Sequence, residues 1–240
     1  MVSSSQSIAL YVSPMITGTF SLIGSATIAI TILQSAQRLG TPFKRIIFGL
    51  SIMDIIQSIA MIAGPFSLPS KNEGVLWSYG NQATCDTQGF FLHVGFAGVP
   101  MYMLTLTVYY LNTVKFNMKD KEFSRRLEPW LHFMSIGWTV GGGIACWISG
   151  SFNMMEAGNI CWYSPSPYDC VAKDDIPCDR GRRAFTFGWV FGGSNFLTLC
   201  KCGLECNSHT KTLSGARASA HIHGVTGNGG VRPSRLGANV

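Results

Sequence analysis

The apolar residues of this chain gather into long runs from which charge is missing. No charged residue falls within 15–34, 88–114, 131–155 or 184–200, and the run 46–68 holds a single one, Asp54. A helix resting on a water-soluble core shows a polar face opposite its apolar stripe; these runs have none. Crossing a hydrocarbon layer about 30 Å thick takes about 20 mostly apolar residues. The first four runs meet that length comfortably and the fifth just reaches it. The pattern predicts an all-α membrane protein, a transmembrane helix bundle with spans near 15–34, 46–68, 88–114, 131–155 and 184–200. Residues 1–14 would then be a short terminus outside the bundle, and 201–240 a polar, disordered tail without Phe, Tyr or Trp after Cys206. The first run is longer than a signal-sequence core and no Lys or Arg precedes it, so it reads as a retained span.

Composition sharpens this picture. Only 12% of the residues are charged, against about 25% in soluble domains. The net charge of +6 would fit nucleic acid, but the basic residues lie in short clusters between apolar runs, with no basic helix or stacking platform, so lipid is the expected partner and nucleic acid is not. Basic residues favour the cytoplasmic side. Arg38, Lys44 and Arg45 stand in the first connection; Lys115, Lys119, Lys121, Arg125 and Arg126 in the third; Lys201, Lys211, Arg217, Arg232 and Arg235 in the tail. The second and fourth connections carry acids against fewer or equal bases. This places the N-terminus outside, although Arg182 and Arg183 at the start of the fifth run oppose the trend. Cysteines agree: Cys85, Cys161, Cys170 and Cys178 all fall in the connections assigned to the outside, where disulfides persist. Four cysteines allow three pairings. Joining Cys85 to Cys161 would close 76 residues, an entropic effect of about 4–5 kcal/mol, and Cys170 to Cys178 a small loop worth about 2.5 kcal/mol.

A cysteine at the outer tip of a third helix, paired with one after the fourth, resembles the G-protein-coupled receptors. The stretches "LWSYGNQATCDTQGFF", "YYLNTVKF", "ICWYSPSPYDC" and "IPCDRGRRAFTFGWVF" are similar to the secretin-like and cyclic-AMP-receptor-like group, in a divergent algal form, over roughly residues 16–199. The resemblance implies a plasma-membrane, multi-pass signal transducer, an unknown extracellular ligand and a heterotrimeric G protein as partner. It implies Cys85–Cys161 as the disulfide that ties the outer loop over the bundle. Two departures stand out: the third run ends without an Asp-Arg-Tyr triplet, and nothing after Cys200 resembles a sixth or seventh helix. The expectation is therefore a receptor apparently truncated after helix five, which does not signal alone. A transporter or channel subunit, or a non-signalling membrane fragment, is the alternative, although neither internal repeats nor broken helices are evident.

Asp54, as the acid within a span, is a candidate for a polar network in the bundle core. His93, Trp162 and Tyr163 are candidates for the ligand mouth, with Trp77 and Tyr79 as interfacial aromatics. Lys115, Lys119, Lys121, Arg125 and Arg126 are candidates for the G-protein side. Cys200, Cys202 and Cys206 stand where the fifth run leaves the membrane and are candidates for palmitoylation. Pro100, with Gly95 and Gly98, is expected to bend or pack the third span. Gly137, Gly141, Gly142 and Gly143 are expected to let the fourth span approach the second and third, with Trp138 beside them. Cys146 reads as a buried packing residue. No phosphate-binding loop, nucleophile elbow or zinc-helix motif occurs, so neither enzymatic activity, cofactor nor metal is expected.

Overall fold

The structure is a computed structural model that describes residues 4–70, 77–155, 160–171 and 176–193. The chain divides into two compact units, Met1–Leu197 and Thr198–Val240; the second lies outside the described residues. So do the expected tail and the palmitoylation candidates Cys200, Cys202 and Cys206.

Four helices in the first unit are long and apolar enough to cross a membrane: Tyr11–Gln34, Pro42–Ile62, Gln82–Lys115 and Glu128–Ile148. They form a multi-pass bundle. The elements are α1 (Ser4–Gln34), α2 (Pro42–Ile62), the short α3 (Gly64–Ser67), α4 (Gln82–Tyr110), α5 (Asp120–Arg126), α6 (Glu128–Ile148), strands β1 (Phe152–Met154) and β2 (Cys161–Tyr163), and α7 (Ala184–Phe187). A π-helical turn, Leu111–Lys115, prolongs α4, and another, Gly188–Gly193, prolongs α7. In the described residues α4 is the central post: it packs on α2, on α6 and on both strands.

Helix ends differ from the charge-free runs because capping chemistry sets them. Residues 4–14, expected as a terminus before the first span, are helical and continuous with it. The first helix begins at Ser4, and Tyr11, 5% exposed, joins Leu68 and the Cys85 and Cys161 sulfurs in one cluster. The second helix starts at Pro42, with Thr41 Oγ1 accepting from Lys44 N, so Lys44 and Arg45 are helical. The third starts six residues before the charge-free run. Asn81 Oδ1 accepts from Thr84 N while Thr84 Oγ1 accepts from Asn81 N, a reciprocal cap that draws the polar stretch 82–87 into the helix.

The fourth helix ends at Ile148, well before the expected 155. Gly150 takes φ +63; its N–H bonds Trp147 O, and Ser151 N–H bonds Cys146 O. This pair of bonds with a left-handed glycine is the Schellman stop. Residues 152–154, expected inside the span, instead pair antiparallel with 161–163, matching Phe152 to Tyr163 and Met154 to Cys161. Of the fifth expected span, 184–193 is helical and 194–200 lies outside the described residues.

Pro100 sits inside α4 without ending it. Gly95 and Gly98 face α2 closely: a Cβ on Gly95 would lie 2.4 Å from Gln57 Cβ, and one on Gly98 2.7 Å from Met53 Sδ. The expected role of the α6 glycines is only half met. Gly142 and Gly143 pack on the α4 side, whereas a Cβ on Gly137 or Gly141 would meet nothing within 4 Å. Those two face outward, on the side of Trp130, Phe133 and Ile144, which are 68%, 66% and 47% exposed.

Candidate functional site

At its N-terminal end, α4 is joined to the loop that follows α6. Cys85 and Cys161 form a disulfide with Cα atoms 5.4 Å apart, and Cys170 and Cys178 form a second at 5.1 Å. One turn below Cys85, the buried Gln88 accepts from Cys161 N at 3.0 Å and donates to Ala60 O of α2 at 3.1 Å. Asp86, placed in a loop by the charge pattern, is helical and 8% exposed. Both of its oxygens accept from Arg180 Nη2 at 3.0 Å, and Gln82 Nε2 donates to Asp86 Oδ1 and to Phe152 O. The β1–β2 hairpin is thus held by a covalent bond and two side-chain amides, and the segment that follows it by an ion pair.

Beneath the hairpin lies His93, fully buried at 0% exposure. Its Nδ1 pairs with the hydroxyl of Tyr163. Tyr163 stacks on Phe152 at 5.8 Å, and Trp162 meets Phe96 edge-on at 5.1 Å. Phe191 closes the other side of His93, ring centroids 6.2 Å apart. Glycines make the room: an added Cβ would stand 2.7 Å from the Phe152 ring at Gly89, 2.7 Å from Phe191 at Gly142, 2.8 Å from Phe90 at Gly143 and 3.0 Å from Tyr163 at Gly188. Burial disfavours the phenolate and holds the Tyr163 hydroxyl above its ordinary pKa of 10.0. His93 Nε2 makes no hydrogen bond among the described residues; the backbone of Thr139 adjoins this ring. Cys146, a buried free thiol, packs in the same cluster.

The three mouth candidates therefore come together, as a packed plug rather than the lining of a cavity. A groove of about 550 Å³ runs instead between the C-terminal half of α2 and the N-terminal half of α4, lined among others by Ile56, Ile59, Thr87 and Phe91. Neither His93, Trp162 nor Tyr163 reaches it. Trp77 and Tyr79 stand exposed at 39% and 76%.

Asp54 turns to α1, not to the third or a later helix. Ser21 Oγ donates to its Oδ2 at 2.7 Å, and Ser25 Oγ donates to the same oxygen. These two serines, one turn apart, satisfy a carboxylate that would be costly in lipid. Nor is Asp54 the sole acid of the long helices, since α4 and α6 begin early enough to include Asp86 and Glu128.

At the opposite end, Lys115, Lys119, Lys121, Arg125 and Arg126 are all exposed on the π turn and around α5. Arg126 pairs with Glu122 at 3.2 Å, and Lys115 Nζ lies 5.8 Å from the Phe116 ring centroid. Phe123 anchors α5 at 0% exposure, edge-on to Tyr109 at 5.1 Å. Sequence reasoning missed a polar cluster here. Arg45 is no free loop cation: Nε and Nη2 donate to Glu128 at 2.5 and 2.7 Å. Its Nη1 donates to Leu39 O and its Nη2 to Ser124 Oγ, both at 2.7 Å. Glu128 is 4% exposed and lies 3.6 Å from His132 Nε2, whose Nδ1 is 3.0 Å from Tyr102 Oη. A lone acid opening an apolar run, just after Arg125 and Arg126, was the available signal. Among the described residues no group of three or more His, Cys, Asp or Glu is placed to hold a metal ion.

No protein-family model and no curated protein matches the chain. Among solved structures the chain is similar to squid rhodopsin, with a TM-score of 0.61 at 15% identity over 93% of this chain and 61% of that one. The chain spans 61% of the length of that neighbour, and the likeness establishes the fold: an all-α, multi-pass bundle of the rhodopsin type.

Proposed function

We propose that the chain is a receptor-type membrane protein that passes an extracellular signal to a heterotrimeric G protein, in the plasma membrane with its N-terminus outside. The observation that carries this reading is the hairpin bound covalently to α4 at Cys85–Cys161, with Tyr163 on His93 and Trp162 on Phe96 beneath it. A ligand that engages the outer face of this plug would move a strand whose side chains end on α4, the helix that packs on α2 and α6. The likeness to squid rhodopsin supports the same reading at the level of fold. The Cys161–Trp162 pair within "ICWYSPSPYDC" favours the secretin-like and cyclic-AMP-receptor-like branch, in its divergent algal form. On the inner side, Lys119, Lys121 and Arg125 are exposed with no acidic partner within 4 Å among the described residues, and they form the G-protein contact.

The test is equilibrium binding of a purified, nucleotide-free G-protein heterotrimer to the full chain in nanodiscs. The reading expects saturable binding that is lost on Lys119→Glu, Lys121→Glu and Arg125→Glu together. Binding that survives the triple reversal, or none by the unsubstituted chain, overturns it.

A further inference from the structure

We infer that Glu128 is a positioning residue, which through Arg45 holds the short helix α5 and the first inner connection at one point on the bundle. The chain of contacts begins in the first turn of α2. The Arg45 guanidinium uses all three of its nitrogens: Nε and Nη2 on the Glu128 carboxylate, Nη1 on Leu39 O before α2, and Nη2 also on Ser124 Oγ of α5. A guanidinium presents its donors in a fixed fork, so fixing two of them on a carboxylate fixes the direction of the rest. Glu128, 4% exposed, thereby sets where Leu39 and Ser124 are held.

The carboxylate is itself held. His132, one turn on in α6, lies 3.6 Å from Glu128 Oε1, and its other ring nitrogen meets Tyr102 Oη of α4 at 3.0 Å. Tyr102 in turn leans on α2, where a Cβ on Gly49 would fall 2.4 Å from its ring. The contacts close a ring through α2, α6 and α4, with α5 attached to it.

α5 has two further anchors, and they differ in kind. Phe123 is apolar, buried against Tyr109, and tolerates rotation about its own ring. Asp120 accepts from Tyr109 Oη at 3.1 Å on the exposed side. Ser124 is the attachment that joins α5 to α2 through a directed bond. Removing the Glu128 charge leaves Arg45 without its counter-ion, frees the fork, and lets α5 turn on Phe123. The basic residues Lys121 and Arg125 then lose a fixed orientation. This inference rests on the proposed function only for what α5 presents itself to; the attachment does not need it.

The experiment is a distance measurement between spin labels in the full chain in nanodiscs. The labels stand at Leu33→Cys, outward on α1 and 45% exposed, and at Lys121→Cys, with Cys200, Cys202 and Cys206 replaced by Ser. The expected result is a distance distribution at least twofold wider in Glu128→Gln than in the parent. Ser124→Ala, which removes one hydroxyl and is expected to melt with the parent, should widen it as well. Glu122→Gln, which breaks only the exposed pair with Arg126, should leave it narrow. A distribution unchanged in Ser124→Ala, or widened as much in Glu122→Gln, overturns the inference. No G protein enters this measurement, so its failure and a failure to bind the heterotrimer are read separately.

Discussion

Four glycines of α6 offer the sharpest check on how that helix is turned. Gly137→Ala and Gly141→Ala add a methyl group that meets nothing within 4 Å, whereas Gly142→Ala places one 2.7 Å from Phe191 and 3.0 Å from His93 Nε2, and Gly143→Ala one 2.8 Å from Phe90. Each exchange gains the same helical propensity, about 1 kcal/mol for Ala over Gly, so propensity cancels in the comparison. Contacts below 3.0 Å against rings that are themselves hemmed in cannot be relieved by a simple rotation. Overpacking of this kind costs about 1–3 kcal/mol. For a chain of this size one kcal/mol corresponds to about 2–4 °C in Tm, so the inner pair should melt roughly 2–12 °C below the outer pair. Thermal unfolding of the four variants in one detergent, with Cys200, Cys202 and Cys206 replaced by Ser and a thiol-reactive dye reporting on the buried Cys146, measures this. Equal melting temperatures for all four, or lower ones for Gly137→Ala and Gly141→Ala, would refute the orientation and with it the packing of His93.

Replacing both Ser21 and Ser25 by Ala should destabilise the chain by about 2–4 kcal/mol, since hydrogen bonds to a charged group are worth about 1.5–3 kcal/mol each and only part is lost to relaxation. Asp54→Asn in that background should recover most of the loss in a thermal melt; failure to recover would mean that Asp54 has other partners. Cys161→Ser removes the closure of 76 residues, about 4–5 kcal/mol, and should lower Tm by roughly 8–20 °C; an unchanged melt would show that the hairpin docks without the disulfide. Burial raises the Tyr163 hydroxyl above its ordinary 10.0, so the unfolded chain ionises first as pH rises. Its contribution to stability is complete below about pH 10 and is lost progressively above it. A pH series of melts should therefore fall less steeply above pH 10 in Tyr163→Phe, and parallel slopes would contradict the burial of this group.

Much of the bundle was legible because the bilayer acts on every residue of a span: a single charge is costly at the centre of a helix, so runs such as 15–34 and 88–114 stand out. Helix ends were not legible by that criterion, since headgroups and water tolerate polar residues there. The Asn81–Thr84 cap carried Gln82, Cys85 and Asp86 into α4, and Gly150 cut α6 short. Apolar content alone cannot separate the end of a span from a strand, and so Phe152–Met154 read as helix. The site was visible as residue types but not as contacts. His93 and Tyr163 are 70 residues apart, and Arg45 and Glu128 83; no local periodicity joins such pairs. Asp54 stood out as a charge within a span, but its partners, two serines one helical turn apart in α1, have the composition of any polar pair in a span.

The account depends above all on the hairpin standing outside the cell and α5 inside it. Labelling of intact cells with a membrane-impermeant maleimide tests this directly, using Asn117→Cys, an exposed position just before α5, and Tyr79→Cys, 76% exposed just before α4, each with Cys200, Cys202 and Cys206 replaced by Ser. The expected result is that Tyr79→Cys is labelled on intact cells and that Asn117→Cys is labelled only after permeabilisation. Labelling of Asn117→Cys on intact cells, with Tyr79→Cys protected, would invert the topology and remove the basic face of α5 from any G protein.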